Sequence, residues 1–122
     1  MGVMYFGRYV RFAEIAETEF FRTVGYAYDE LHAEFGIWLA RIRLEIDYRS
    51  PAKLDEEIVC RTELRKLSAA SMHFGFPIER LTDGTRLADI SLIVACLDAA
   101  TLKSRRTPAR LRERLEPFIH RT

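Results

Sequence analysis

Between Arg8 and Val24 the apolar residues Tyr9, Phe12, Ala13, Ala16, Phe20 and Val24 recur every three or four positions, which gathers them on one stripe of a helix. Gly25 follows where such a helix would stop. Val10 and Phe21 widen the stripe, so the helix is apolar over more than half its girth and is expected to touch two partners. A shorter helical turn is expected from Asp29 to Glu34, closed by Gly36.

After Gly36 the period changes to two. Trp38, Ala40, Ile42, Leu44, Ile46 and Tyr48 alternate with Leu39, Arg41, Arg43, Glu45 and Asp47, the pattern of a long strand with one wet face. Ser50-Pro51 breaks it. A second alternating run covers Ile58 to Arg65 and a third Ala70 to Ile78, where Pro77 lacks the N–H for a ladder bond and predicts an edge or a bulge. Thr82-Asp83-Gly84 signals a hairpin, and the last strand is expected from Arg86 to Leu97. Its core, Ile90 to Leu97, does not alternate, which predicts a central position with both faces covered. Pro108 opens a C-terminal helix to about Arg114, held by Leu111 and Leu115.

One long helix followed by four antiparallel-type strands predicts an α+β fold in which a curled sheet wraps the helix. Such a sheet leaves an open edge, and pairing with a second copy closes it, so a homodimer or homotetramer is expected.

The 122 residues fit a single domain, 1–122, and their 48% hydrophobic content supplies a core and excludes intrinsic disorder. Nineteen basic residues against eighteen acidic leave a net charge of +1, so no general attraction for nucleic acid or an anionic membrane is expected. There is no apolar run of the ~20 residues a bilayer crossing needs, nor a signal-type amino terminus, and the expected location is the cytoplasm.

Cys60 and Cys96 have no second Cys or His at metal-ligand spacing and read as packing thiols, so no metal site is expected. His32, His73 and His120 sit in no Ser-His-Asp order and near no nucleophile elbow. Lys103, Arg105, Arg106, Arg110, Arg112 and Arg114, opposed only by Glu113, form a basic run. It reads either as a solvated helix face or as a patch for phosphates or an acidic protein partner. Ser68 and Ser71, with Arg65 and Lys66, are a further candidate contact for phosphate.

The opening segment from Gly2 through Tyr5, Phe6, Gly7, Tyr9, Phe12 and Glu14 to Phe20 resembles the signature of hotdog-fold acyl-CoA thioesterases, in the 4-hydroxybenzoyl-CoA and Tol-Pal-associated thioesterase branch. That signature reads Asp-x-x-Gly-Val-Val-Tyr, a short linker, Asn-Tyr, an apolar stretch and an acidic residue. Tyr48-Arg49-Ser50-Pro51-Ala52 with Asp55, Leu67 to Ser71 with Phe74 and Phe76, and Pro108 with Leu111 follow in family order. The resemblance implies a five-stranded sheet around the helix, active sites between paired subunits, and hydrolysis of an acyl thioester of coenzyme A or of an acyl carrier protein. It implies no cofactor. The alternative is a non-catalytic hotdog module that binds acyl-CoA or a carrier protein.

The family's acidic residue three positions before the glycine matched by Gly2, and the strand preceding it, lie outside a sequence that begins at Met1. Three expectations stay open: a start site further upstream, a weak truncated enzyme, or a replacement acid. The resemblance puts the oxyanion-stabilising amides on Phe6 and Gly7, and Tyr5 beside the substrate. Glu14 matches the position of a family acid near the acyl end and is the first candidate for the general base, against a solvated helix-flank carboxylate. Glu17 is the second candidate by the same geometry.

Overall fold

The computed structural model describes residues 6–53 and 55–120. Helix α1 runs over Phe6–Val24, and its most deeply buried face follows Tyr9, Ala13, Glu17, Phe21 and Val24. Phe12, Ala16 and Phe20, which the apolar stripe centres on, are only partly buried against the core. The buried face therefore lies a step round the helix from the expected one and carries a carboxylate. Gly25, at φ 107°, ends α1 by donating its amide to Phe21 O and Arg22 O, a conformation that a side chain would oppose. Helix α2, Tyr28–Phe35, closes on left-handed Gly36, whose amide donates to His32 O.

Strands β1 (Ile37–Tyr48), β2 (Ile58–Cys60), β3 (Glu63–Leu67), β4 (Ser71–Arg80) and β5 (Arg86–Asp98) form a five-stranded antiparallel sheet. The order is β1-β5-β4-β2, with β3 also on β4. β5 lies between β1 and β4, as its apolar run predicts, although its two faces differ. Ala88, Ile90, Leu92, Val94 and Cys96 are buried while Asp89, Ser91, Ile93 and Ala95 are half-covered.

Two expectations fail where the strand ladder is locally interrupted. β1 shifts register between Arg41 and Arg43, where Ile42 is the extra residue of a bulge. Side chains alternate strictly along a strand, so one insertion exchanges the faces beyond it. Ile37, Leu39 and Arg41 consequently share the core side with Leu44 and Ile46, whereas Trp38 and Ile42 are exposed. The second run likewise splits into β2 and β3, interrupted at Arg61 and Thr62. Pro77 is the cause on the facing strand: it lies inside the sheet on β4, next to a register shift at Ile78 and Glu79 rather than at an edge, accepts from the Arg61 amide and cannot donate back. The Thr62 hydroxyl turns instead to α1, donating to Ala16 O at 3.2 Å.

The core between α1 and the sheet is an aromatic cluster. Phe74 makes edge-to-face contacts with Phe20 and Phe21 and stacks on Phe76, with ring centroids 5.4–6.0 Å apart. Helix α3, Ala109–Leu115, closes the C-terminal side by burying Leu111 and Leu115.

Candidate active site

The β1 bulge opens a groove of about 210 Å³ between α1 and the sheet. Val10 and Ala13 of α1 and Ile42, Leu44 and Leu92 of the sheet give it apolar walls, into which Glu14, Arg41 and Arg43 bring charge. Val10 lies one turn beyond Phe6 and Gly7, the first two residues of α1, so the groove starts just inside the helix amino end. Gly7 is exposed and has open space where a Cβ would point.

Glu14 is partly exposed at the groove, with its Oε2 4.0 Å from Arg41 Nη1. Glu17, one turn on, is fully buried: its Oε1 accepts from Arg41 Nη2 at 2.5 Å and from Nε at 3.1 Å. Its Oε2 has no partner among the described residues. Burial and the adjacent Glu17 carboxylate hold the Tyr28 phenol well above its ordinary range, so Tyr28 stays protonated beside it. Glu17 lines none of the grooves described here, and its full burial and direct hydrogen bonds to Arg41 set it apart from Glu14. As a carboxylate inside the apolar face it is a buried ion-pair member.

Arg65 is the extra residue of a second bulge, in β3. Its guanidinium lies across Gly75, where any Cβ would collide with it. It reaches Ser91 Oγ at 3.5 Å and Glu63 Oε1 at 3.2 Å. With Arg43, Lys66, His73, Ser91 and Ile93 it lines a groove of about 370 Å³ that shares Arg43 and Leu92 with the groove of Glu14. The two spaces are thus adjoining: Glu14, Arg41 and Arg43 charge the first, and Arg43, Arg65, Lys66 and Glu45 the second.

Ser68 and Ser71 join neither groove. Ser68 occupies the turn before β4, its amide donating to Ser71 O and its carbonyl accepting from Arg112 Nη1 at 3.0 Å. Tyr5 lies outside the described residues, and of Phe6 only the backbone is described.

Arg41, Arg43 and Ser91 are the site residues that the sequence reading missed. Strand alternation put Arg41 and Arg43 on one wet face, and only the register shift separates them.

The basic C-terminal run, read as a solvated helix face or a phosphate patch, is mostly engaged with partners inside the chain. Arg105 donates to Phe35 O and Arg114 to Val24 O, at the carboxyl ends of α2 and α1, where cations satisfy exposed carbonyls. Arg112 holds Leu67 O and Ser68 O, and Arg110 pairs with Glu34. His32 stacks on Trp38, His120 faces Glu63 and His73 lines the groove of Arg65. Among the described residues no cluster of His, Cys, Asp and Glu could hold a metal ion, and no helix is long and apolar enough to cross a membrane.

Cys96 is buried in β5, and Cys60 is half-buried beside Phe12, Phe20 and Phe118. Burial pushes the Cys60 thiol up to about 11. Only about 0.1% is thiolate at pH 8 at that value, so alkylation of Cys60 by iodoacetamide at pH 8 is expected to run about 100-fold slower than that of free cysteine and to accelerate toward pH 11. Labelling of Cys60, read by mass spectrometry, at the free-cysteine rate would contradict this.

Residues 1–115 match the profile of the Thioesterase-like superfamily. The chain is 31% identical over 107 residues to the acyl-CoA thioester hydrolase YbgC of Escherichia coli O6:H1, covering 88% of this chain and 78% of that protein. It is 33% identical over 102 residues to the acyl-CoA thioesterase YbgC of Haemophilus influenzae, covering 84% and 74%. A crystal structure of a hypothetical protein from Thermus thermophilus superposes with a TM-score of 0.85 at 26% identity, over 97% of this chain and 88% of that one. By this profile match and by these relatives, the chain belongs to the Thioesterase-like superfamily.

Proposed function

We propose that this protein is an acyl-CoA thioesterase that cleaves the thioester in the groove between α1 and β1, with Glu14 as general base. The observation that carries the reading is a single half-exposed carboxylate, beside Arg41 and Arg43, in a groove with apolar walls just inside the start of α1, in a member of this superfamily. The fold reads as a hotdog in which the sheet wraps α1. Seven residues of helix separate Gly7 from Glu14, about 10 Å along the axis, and helical side chains lean toward the amino end. The remaining gap suits a thioester carbonyl and one water. Glu14 takes a proton from the water as its oxygen attacks the carbonyl carbon. The amides of Phe6 and Gly7 bind the oxyanion, and the tetrahedral intermediate collapses to the acid and the thiol, the sulfur leaving with the proton. In the adjoining groove Arg65 and Arg43 suit the phosphates of coenzyme A.

The chain acts as a homodimer or a higher assembly of such pairs. β1 pairs with β5 on one side only, and Trp38, Ile42, Leu44 and Tyr48 are exposed along it.

Thiol release monitored with a colorimetric reagent, over acetyl, aliphatic and aromatic acyl-CoA, tests the reaction. Turnover of at least one substrate, by a species with dimer mass or above in light scattering, is expected. Binding of acyl-CoA with no thiol release would replace the enzyme by a binding module, and a monomer at micromolar concentration would remove the assembly.

A further inference from the structure

We propose that Arg41 is a positioning residue for Glu14, clamped by the buried carboxylate of Glu17; the inference rests on the reading of Glu14 as the base. Glu17 is fully buried and takes two hydrogen bonds from one edge of the guanidinium. A guanidinium is planar and rigid, so fixing Nε and Nη2 fixes the direction of Nη1 as well. Nη1 is the nitrogen that faces Glu14 Oε2 at 4.0 Å, on the groove wall.

The two carboxylates, one helical turn apart on one face of α1, therefore play unequal parts. One holds the cation by two hydrogen bonds and the other faces its remaining nitrogen at 4.0 Å. The β1 bulge is what turns Arg41 toward α1, since the register before Ile42 puts it on the core face. Glu14 is otherwise a partly exposed, flexible side chain, and holding it in one conformation removes an ordering cost from the reaction.

Thiol-release kinetics on the full chain test this with R41Q, R41K and E17Q, alone and combined with E14Q. A misplaced base typically costs up to ~10²-fold, so R41Q is expected to lower kcat about 10- to 100-fold with KM held within about twofold. R41K, which keeps the charge without the fork, is expected to recover only part of the loss. In an E14Q background, R41Q and E17Q should each change kcat by less than about twofold, because their effect passes through Glu14. Undiminished kcat in R41Q, or the same loss with and without Glu14, overturns the proposal. The ordering of Glu14 is read independently of turnover by 13C relaxation of its γ-methylene, expected to be rigid in the native chain and mobile in R41Q. Unchanged order overturns the proposal, whereas a native chain that hydrolyses no acyl-CoA overturns the thioesterase reading and leaves this readout to decide the role of Arg41.

Discussion

Substitution of Glu14 by Gln lowers kcat for acyl-CoA hydrolysis by about 10²- to 10⁴-fold, the range a positioned general base contributes. The amide keeps the shape of the side chain and its place in the groove but cannot accept the proton of the attacking water. Glu14 is partly exposed and its one ion-pair contact is a long one, so the change in stability should stay within about 0.5 kcal/mol. Activity and folding are thereby separated, and the variant should melt with the native chain. Steady-state kinetics beside a thermal melt check both halves. A fully active E14Q removes Glu14 from the chemistry, and an inactive but unfolded E14Q would show that the side chain serves stability instead.

Phe74→Ala is the substitution expected to damage the fold most. The ring is almost wholly buried, sits edge-on to Phe20 and Phe21, and stacks on Phe76. Truncation leaves a void between α1 and β4, and large-to-small changes of this kind cost about 3–5 kcal/mol. That is a large share of the roughly 5–15 kcal/mol by which folded domains are stable. Urea unfolding should show a much lower midpoint with an unchanged slope, while Phe74→Leu, closer in volume, should lose about 1.5 kcal/mol or less. A Phe74→Ala midpoint within error of the native one would mean that the aromatic cluster is not the joint between helix and sheet.

What the chain reveals before folding is what its neighbours in sequence decide. Gly25 and Gly36 end their helices, Thr82 to Gly84 turns β4 into β5, and Pro108 opens α3, each by a local backbone preference. The two bulges are different in kind. Leu39 and Ile42 lie on opposite sides of an unbroken apolar alternation, and only the pairing with β5 decides where the extra residue goes. Because Arg41 depends on that choice, its partnership with Glu17, 24 residues away, was hidden, and Glu17 resembled Glu14 on a helical wheel. Arg65 stands among the candidate phosphate contacts of the sequence, but its reach over Gly75 to Ser91 depends on the second bulge. The C-terminal arginines show the opposite failure, since counting charge says nothing of the carbonyls that occupy them. The reaction itself was legible only in the amino-terminal signature, through its resemblance to thioesterases.

The most direct measurement is a crystal structure of the chain with a non-hydrolysable acyl-CoA thioether or amide analogue. The account predicts the carbonyl-equivalent carbon between the first turn of α1 and Glu14, within reach of its carboxylate through one water, with phosphates beside Arg43 and Arg65. An analogue whose acyl end lies away from Glu14, with the α1–β1 groove left unfilled, would contradict it.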